Sequence, residues 1–578
     1  MSRGAFLLCL LALCAVSVAA LGAEPTWLNV RDCGASGSQF STAATTVAGA
    51  KQITVADPGD FAVGQGVMLS KCNPRLMDDH LWGPKIQYVA GSGKPLKDRI
   101  DVQGYDQAGG SWQVFIVDIL QTQPAAFRWS KDISRTWTGP VPITYDWQTL
   151  SGGLQIRFHK DFDWTGGWTA SFSARDQLVS VIEKIEGKTI TLKDATPAAA
   201  TDAVLRHCDD AALQAAFDRG LKEHRNVFVP NGWYRLSKGL NLYRPSGITV
   251  QGESGEDTVL DLSEGMGAVI QQREGTEVNI KDFRMIGNMG FAERDQCGSM
   301  NMKGCGYLWG QDLKTSFAVA TVGTERVYVE NVHAYKMSLE AFWSGGPARS
   351  GNKPEPPAYS RSIIYERCWA IDCGRNAFNN NDMAEGTVMN NCRIVDVGGC
   401  AWEGASRFVK FTNNYVRNAG TVAIGNISSR EADFEVLPSG QHIVSNNVFE
   451  SVVPYGGCAI RTASGCNPVL LSNNVFVNFG SAAIELCGHC GPGLPPYTTS
   501  VLGNIFDMTE IGPTSRARTA IFSDENEVII ADNQIYVRGQ ADPNVTGIAL
   551  QEPCLNVNVH DNLIRNCGVG LKATRGWG

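Results

Sequence analysis

A large apolar residue flanked by small or polar ones recurs along the second half of the chain. Each copy has a small residue, usually alanine, then a large apolar residue, then a residue of variable type; the copies start at positions 341, 377, 401, 423, 459, 483, 520, 547 and 570. Because side chains alternate between the faces of a β-strand, the large residue is predicted to point inward and the third residue outward. We call the third residues the outward column: Trp343, Asn379, Glu403, Gly425, Arg461, Glu485, Phe522, Ala549 and Lys572.

A second phrase, built on paired asparagines, recurs in step with the first. Its copies are spaced by 23 to 33 residues when they are measured at Asn391, Asn414, Asn447, Asn474, Asn504, Asn533 and Asn562. This spacing is typical of stacked coils, whose strands pair with the coils above and below at roughly 4.8 Å. Asparagine suits the corners because it tolerates left-handed backbone and its amide can bond to the next coil. The pattern predicts an all-β chain with a parallel β-solenoid over about 201–578, rather than a sandwich with asparagine-rich loops.

Between residues 40 and 200 the solenoid phrases are absent. Strand-like runs at 52–56, 114–119 and 189–192 are separated by turn residues, which predicts an inserted β-rich domain. Segment 24–39 is predicted to add a short strand to the solenoid. An amphipathic helix that starts at Asp209 or Asp210 is predicted to cap the first coil. Seven of the 14 tryptophans lie in the insert, where they fit either contact with sugar rings or core packing: Trp82, Trp112, Trp129, Trp137, Trp147, Trp164 and Trp168.

Charge and the N-terminus narrow the classes of partner. The 578 residues carry a formal charge of −8, which argues against nucleic acid because phosphate binding needs a basic face. Residues 1–23 combine Arg3, an apolar run and a small-residue exit, which predicts a signal peptide and a mature chain beginning between Ala20 and Glu24. No later stretch is long and apolar enough to span a bilayer. We therefore expect a secreted protein, extracellular or periplasmic, with no membrane attachment once the signal is removed.

The cysteines indicate less about function than the repeats and the N-terminus do. Of the 17 cysteines, 15 remain after removal of the predicted signal, and an odd number predicts at least one free thiol. Cys487 and Cys490 have the spacing of a disulfide or of half a metal site. No second pair of this kind accompanies them, so a disulfide or a plain loop is favoured and no metal site is predicted.

Four segments resemble the N-terminal pattern of the pectin-lyase-fold superfamily, in the branch of rhamnogalacturonase, polygalacturonase and "pectate lyase 3"-type proteins. They are Asn29–Gly37, Asp209–Glu223, Val227–Leu236 and Gly252–Gly255. The resemblance covers roughly 205–578 plus the short N-terminal strand, and it excludes the insert. It implies a secreted right-handed parallel β-helix. Members of the superfamily are mostly enzymes that cleave polysaccharides as hydrolases or lyases, with some epimerases and phage tailspikes.

The catalytic groups of that superfamily do not carry over to this chain. Polygalacturonase-like hydrolases place aspartates just ahead of the inward apolar residue, where this chain has Arg375-Asn376-Ala377 and Gly399-Cys400-Ala401. The β-helical alginate and chondroitin lyases place a lysine base and an arginine on neighbouring coils, where this chain has Ala405 and Gly425. The resemblance therefore leaves the reaction unassigned.

The candidate site comes instead from this chain's own polar cluster. The candidate catalytic residues are Asp382, Glu403, Arg407, Arg461 and Glu485. The candidate substrate-binding residues are Asn379, Asn381, Trp343, Trp402, Asn426 and Arg430. Asp382 or Asn381 is expected within one coil spacing of Glu403, close to the roughly 5–9.5 Å range of glycosidase carboxyl pairs. The alternative is a solvated polar face on which Arg461 and Glu485 form only an ion pair.

These residues favour a carbohydrate-active enzyme that cleaves glycosidic bonds of a polysaccharide. Hydrolysis is preferred because carboxylates outnumber bases at the centre of the outward column. The alternative reaction is elimination at a uronate, in which Asn379, Asp382 and Glu403 would hold a calcium ion and Arg407, Lys410 or Arg461 would remove the proton. A non-catalytic glycan-binding or adhesin-like protein is the alternative from another class. Neither the polysaccharide nor an oligomeric state is predicted by the sequence.

Overall fold

A computed structural model describes the protein over residues 27–76, 99–103, 112–130, 137–164, 169–288, 316–345, 360–380, 384–404, 406–419, 422–424, 441–450, 459–462, 469–479, 482–487, 498–509, 517–552 and 554–574. The predicted signal peptide and the predicted start of the mature chain lie outside these ranges. Within them, no helix has both the length and the apolar character needed to cross a membrane.

The chain folds as a right-handed parallel β-helix, which confirms the fold predicted from the repeats and from the resemblance. A 12-stranded parallel sheet, the front sheet, contains Lys238–Tyr243, Met266–Arg273, Ser316–Val322, Phe342–Gly345, Phe378–Asn380, Trp402–Gly404, Val422–Ile424, Ile460–Thr462, Ala482–Leu486, Arg518–Ser523, Asp542–Gln551 and Cys567–Thr574. A 24-stranded parallel sheet, the back sheet, contains Leu28–Asn29, Val227–Val229, Gly232–Arg235, Ser246–Gly252, Thr258–Asp261, Thr276–Ile286, Glu325–Tyr335, Ser360–Glu366, Trp369–Ile371, Ala384–Glu385, Val388–Asn390, Arg393–Val395, Lys410–Thr412, Tyr415–Arg417, His442–Ser445, Val448–Glu450, Val469–Ser472, Val475–Val477, Thr499–Leu502, Ile505–Asp507, Val528–Ala531, Gln534–Tyr536, Asn558–His560 and Leu563–Arg565.

The outward column is a vertical row on the front sheet, as predicted. Neighbouring strands place Trp343 opposite Asn379 and Asn379 opposite Glu403, and the row continues through Arg461 and Glu485 to Lys572. One assignment is wrong: Ala423, not Gly425, follows Glu403 in the row. Val422 takes the inward position on this coil and pairs with Trp402 and Ile460, which shifts the outward position two residues earlier.

The inward positions form one continuous apolar core. Phe342, Phe378 and Trp402 occupy successive coils and are fully buried, and the rings of Phe342 and Phe378 stack with centroids 5.0 Å apart. Burial of large side chains at every coil supplies the main stabilisation of such a stack. The core therefore fixes the register that aligns the outward column.

The two members of an asparagine pair have different structural roles. In six copies the second residue lies in a ladder, which is buried up to Asn533 and partly exposed at its last member: Asn414, Asn447, Asn474, Asn504, Asn533 and Asn562. Each backbone N–H from Asn414 to Asn533 donates to Oδ1 of the next asparagine in the ladder at 2.8–3.1 Å. In these six copies the first residue has left-handed backbone, as at Asn413 with φ 58°. Asn391 belongs to this left-handed set, and Cys392 takes the ladder position, so the first step is 22 residues long, not 23.

The first coil is capped from the N-terminal side. Strand Leu28–Asn29 pairs in parallel with Val227–Val229, and helix Asp210–Glu223 packs Leu213 and Phe217 into the solenoid core. Asp209 precedes this helix, but its side chain makes no cap hydrogen bond to it. It instead accepts from the backbone N–H groups of Ser36 and Gly37, which ties the N-terminal segment to the cap.

The region predicted as an insert forms two antiparallel sheets. A nine-stranded sheet contains Ser41–Thr46, Gln52–Val55, Gly66–Leu76, Trp112–Leu120, Ala126–Ser130, Thr138–Pro142, Thr169–Glu186, Thr189–Leu192 and Ala200–His207, and a three-stranded sheet contains Ile100–Gln103, Gln148–Thr149 and Gln155–Phe158. Trp129 and Trp164 are buried in the core between these strands. Trp137 and Trp147 are partly exposed, and each stacks under an arginine guanidinium, 4.3 and 4.7 Å away respectively. Trp82, Trp168 and the side chain of Trp112 are not among the described positions.

Candidate active site

The centre of the outward column is buried, although its strand positions face away from the core. Asn379 and Glu403 pair in register on neighbouring strands and are only 2% and 5% exposed. Burying a carboxylate costs free energy unless the group is paired and hydrogen-bonded. The residues that bond to Glu403 therefore define the candidate site. Those partners are Arg375, Asn376 and Asn379, and through Arg375 and Asn379 also Glu340. We call these five residues the carboxylate cluster.

Three donors converge on one oxygen of Glu403. Oε2 accepts from Nη2 of Arg375 at 3.2 Å, from Nδ2 of Asn376 at 2.5 Å and from Nδ2 of Asn379 at 3.3 Å. Oε1 of Glu403 accepts no hydrogen bond from any described residue. The network therefore fixes the carboxylate through one of its two oxygens.

Glu340 is the second carboxylate of the cluster. Its Oε1 accepts from Nη1 of Arg375 and from Nδ2 of Asn379, the latter at 3.1 Å. Because the same Asn379 nitrogen also reaches Glu403, the bonded oxygens of Glu340 and Glu403 lie within roughly 6 Å of each other. This upper limit reaches the lower part of the roughly 5–9.5 Å range of the carboxyl pairs that hydrolyse glycosides.

The environment of Glu340 differs from that of an ordinary surface carboxylate. Complete burial raises the pKa of Glu340 above its usual 4.5, and the nearby Arg375 charge opposes this rise without reversing it. A raised pKa keeps a carboxylic acid protonated closer to neutral pH, where it can donate a proton. Glu340 is therefore placed to act as an acid beside Glu403.

Local sequence explains how the cluster assembles. Glu340, Asn376 and Cys400 each stand directly before the small residue of the repeat, so they occupy equivalent places on three successive coils. Oδ1 of Asn376 also accepts from the backbone N–H of Cys400 at 2.8 Å, which aligns the second coil with the third. Sequence reasoning missed Glu340 because it examined this position only on the coils of residues 377 and 401. The carboxylate immediately ahead of Ala341-Phe342 was the signal one coil earlier.

The prediction that Trp402 binds substrate is wrong. Trp402 holds the inward position of its strand, is fully buried, and stacks with Phe411 in the core at 6.2 Å between centroids. It was chosen because it precedes Glu403, but consecutive strand residues face opposite sides of the sheet. Trp343, also predicted to bind substrate, is in the outward column and is partly exposed, with Phe317 beside it at 6.5 Å.

Arg407 lies in a different row from the carboxylate cluster. Its strand neighbour is Glu385, and Nη2 of Arg407 lies 3.3 Å from Glu385 Oε1. Glu385 is also 3.6 Å from Arg361, its neighbour on the preceding coil. These three residues form an ion-pair row at the edge of the back sheet, so Arg407 lies apart from Glu403, the other candidate catalytic residue of its coil.

Arg461 and Glu485 form an ion pair further along the outward column. Nε of Arg461 lies 3.6 Å from Oε2 of Glu485, and both side chains are partly exposed. Glu485 is three strands from Glu403, or roughly 14 Å, so these two carboxylates are too far apart to act as a glycosidase pair. Close by, Cys487 is a free thiol, and burial raises its pKa to about 12.

Several predicted site residues lie outside the described ranges: Asp382, Asn381, Asn426, Arg430 and Cys490. The expected contact of Asp382 or Asn381 with Glu403 is therefore not described. Among the described residues, no group of three or more histidine, cysteine, aspartate or glutamate side chains has an arrangement that could hold a metal ion.

No protein-family model matches the sequence, and no curated protein is significantly similar to it. Solved structures with similar folds include the Agl-KA catalytic domain, with 13% identity, 96% of each chain covered and a TM-score of 0.41. The Azotobacter vinelandii mannuronan C-5 epimerase AlgE6 A-module has 12% identity over 64% of this chain and 96% of its own, with a TM-score of 0.43. The Streptococcus pneumoniae surface adhesin PfbA has 12% identity over 64% of this chain and 90% of its own, with a TM-score of 0.42. At these values the likenesses do not bear on the reaction, substrate or partner of this chain.

Proposed function

We propose that this protein is a carbohydrate-active enzyme that hydrolyses glycosidic bonds of a polysaccharide, with Glu340 and Glu403 as its carboxyl pair. The observation that supports this most directly is the placement of two carboxylates within roughly 6 Å of each other in unlike surroundings. Glu340 donates a proton to the leaving oxygen as general acid. Glu403 acts through Oε1, either on the anomeric carbon or on the attacking water.

The outward column supports a polymeric substrate. Its nine positions are in register over about 38 Å, a length that suits an extended chain rather than a single sugar. Trp343 presents a partly exposed indole two strands before Glu403, and aromatic faces pack well against the apolar faces of sugar rings. Substrate contacts by Asn381, Asn426 and Arg430 remain part of the proposal.

Hydrolysis is preferred to elimination because the predicted bases are engaged elsewhere. Arg407 is paired with Glu385 and Arg461 with Glu485, so neither is beside Glu403 as an uncharged base. Lys410 is on the back sheet and also lies outside the cluster. Elimination and non-catalytic binding are outcomes of the following test.

The test is digestion of a panel of acidic and neutral polysaccharides by wild-type protein and the Glu403→Gln variant. We expect wild type to release reducing ends from at least one polysaccharide without new ultraviolet absorbance, and the variant to release none while still binding it. New absorbance from an unsaturated product would show elimination. Binding without any product from wild type would show a glycan-binding protein and overturn the proposal.

We also propose that the protein is secreted and that residues 1–23 are removed as a signal peptide. The basis is the sequence pattern at the N-terminus. N-terminal sequencing of protein recovered from the medium or periplasm is expected to begin between Ala20 and Glu24. Recovery of the protein only inside the cell, with Met1 retained, would contradict this.

A further inference from the structure

The interior of the solenoid contains a polar row just behind the carboxylate cluster. Gln272, Thr321, Ser344 and Asn380 lie on four successive strands of the front sheet, and all four side chains are completely buried. Leu242 precedes this row and Gly404 follows it. The inward positions of a solenoid are normally apolar, so four consecutive polar residues need partners.

Back-sheet side chains approach the same interior space. The hydroxyl of Tyr365 lies near Thr321 and Ser344 but forms no hydrogen bond with a described residue, and burial raises the pKa of Tyr365. Nδ2 of Asn380 donates to Oγ of Ser344 and, at 3.4 Å, to Oγ1 of Thr387. These contacts add polar groups to the apolar packing between the two sheets, in which the ring of Tyr365 lies 5.3 Å from that of Phe342.

Five buried polar atoms in this region have no partner among the protein groups that the structure describes: Nε2 and Oε1 of Gln272, Oγ1 of Thr324, the hydroxyl of Tyr365 and Oδ1 of Asn380. Both ends of the Gln272 amide are therefore unpaired. Each unpaired buried group costs about as much as a good hydrogen bond contributes, and five of them would consume a large part of the stability of a domain.

We infer that ordered water molecules are bound inside the solenoid at Gln272, Thr324 and Asn380. Water offers two donors and two acceptors in a small volume, so it satisfies an amide and a hydroxyl together where no side chain reaches both. The row spans roughly 14 Å from Gln272 to Asn380, so more than one molecule is required. The ligand is water rather than a metal ion because Gln272 presents a donor as well as an acceptor to the space.

The test compares thermal unfolding of full-length wild type with the Gln272→Met variant, which preserves side-chain volume and removes both polar ends. If water satisfies Gln272, methionine removes real hydrogen bonds, and the Tm is expected to stay the same or fall. If Gln272 is truly unpaired, methionine removes a penalty, and a rise of more than about 2 °C would overturn the inference. Thr321→Val is the matched control. The Thr321 hydroxyl donates to the carbonyl of Trp343 at 3.3 Å, so losing this hydroxyl should lower the Tm whether or not water is bound at Gln272.

A crystal structure of wild-type protein provides the second measurement and does not depend on a variant that folds. Density for water within hydrogen-bond distance of the Gln272 amide and of Asn380 Oδ1 is expected. Empty, well-ordered space at both places, or anomalous signal from a metal ion, would contradict the inference.

Discussion

Replacing Asn474 with alanine tests how the coils of the solenoid are held together. Nδ2 of Asn474 donates to the carbonyl of Val444 at 2.9 Å and to Oδ1 of Asn504 at 3.0 Å. Its Oδ1 accepts from the backbone N–H of Asn447 at 3.0 Å and from Nδ2 of Asn447 at 2.9 Å. Alanine removes all four bonds and leaves the Asn447 N–H and the Val444 carbonyl buried without these partners.

The expected cost follows from those bonds. A buried hydrogen bond contributes about 1 kcal/mol net, and a buried group left unpaired costs about 1–3 kcal/mol, so we expect Asn474→Ala to destabilise the protein by about 4 kcal/mol. Asn473 is the matched control, because it is the exposed, left-handed member of the same pair, with φ 55°. Asn473→Ala should cost only about 1–2 kcal/mol, the penalty for left-handed backbone.

Two measurements resolve this difference. Denaturant unfolding of both variants gives their relative stability. Hydrogen exchange at the Asn447 backbone amide reports the loss of its bond locally. The local measurement is needed because a solenoid need not unfold in one step. We expect faster exchange at Asn447 in Asn474→Ala but not in Asn473→Ala. Equal destabilisation by the two variants, or unchanged exchange at Asn447, would refute the ladder as a main source of cohesion between coils.

Three further predictions concern single positions. Cys392→Asn should extend the ladder, because an asparagine amide there can reach the Tyr365 carbonyl, which is 3.7 Å from the present Sγ. The free energy of unfolding, measured with denaturant, should rise by about 1 kcal/mol, and a fall would contradict this. Burial raises the pKa of Glu340 above 4.5, so between pH 4.5 and the folded-state pKa the unfolded chain ionises here while the folded one does not, and wild type loses stability over that window. Glu340→Gln should therefore gain stability relative to wild type as pH increases from 4.5, and a constant difference across pH would count against the raised pKa. Arg461→Ala removes a partly exposed ion pair and should change the unfolding free energy by less than about 1 kcal/mol, so a larger loss would indicate a structural role for this pair.

The register of the solenoid was predictable because it depends on a strict local rule. Side chains alternate along a strand, so the large apolar residue of each repeat had to face inward and its successor outward. The rule failed at Ala423-Ile424-Gly425, where Val422 and Ile424 are both suitable inward residues two positions apart. Alternation allows either one, and only the packing between Trp402 and Ile460 selects Val422.

The chemistry of the site was less predictable because it depends on burial and on contacts between coils. Alternation placed Asn379 and Glu403 on an outward face, and outward was taken to mean exposed, whereas both are buried. Arg375 reaches Glu340 on the preceding coil and Glu403 on the following one, and neither contact follows from spacing alone. The asparagine pairs show the same limit: their two roles were anticipated, but which member takes each role became clear only from the hydrogen bonds.

The most direct test of the account compares product release by wild type, Glu403→Gln and Glu485→Gln on a polysaccharide that wild type cleaves. Both variants neutralise one carboxylate of the same outward column, but only Glu403 belongs to the pair with Glu340. The account predicts that Glu403→Gln loses at least about a hundredfold in rate, the size of a general acid–base contribution, while Glu485→Gln stays within a few-fold of wild type. Equal losses in the two variants, or full activity in Glu403→Gln, would contradict the assignment of the carboxylate cluster as the active site.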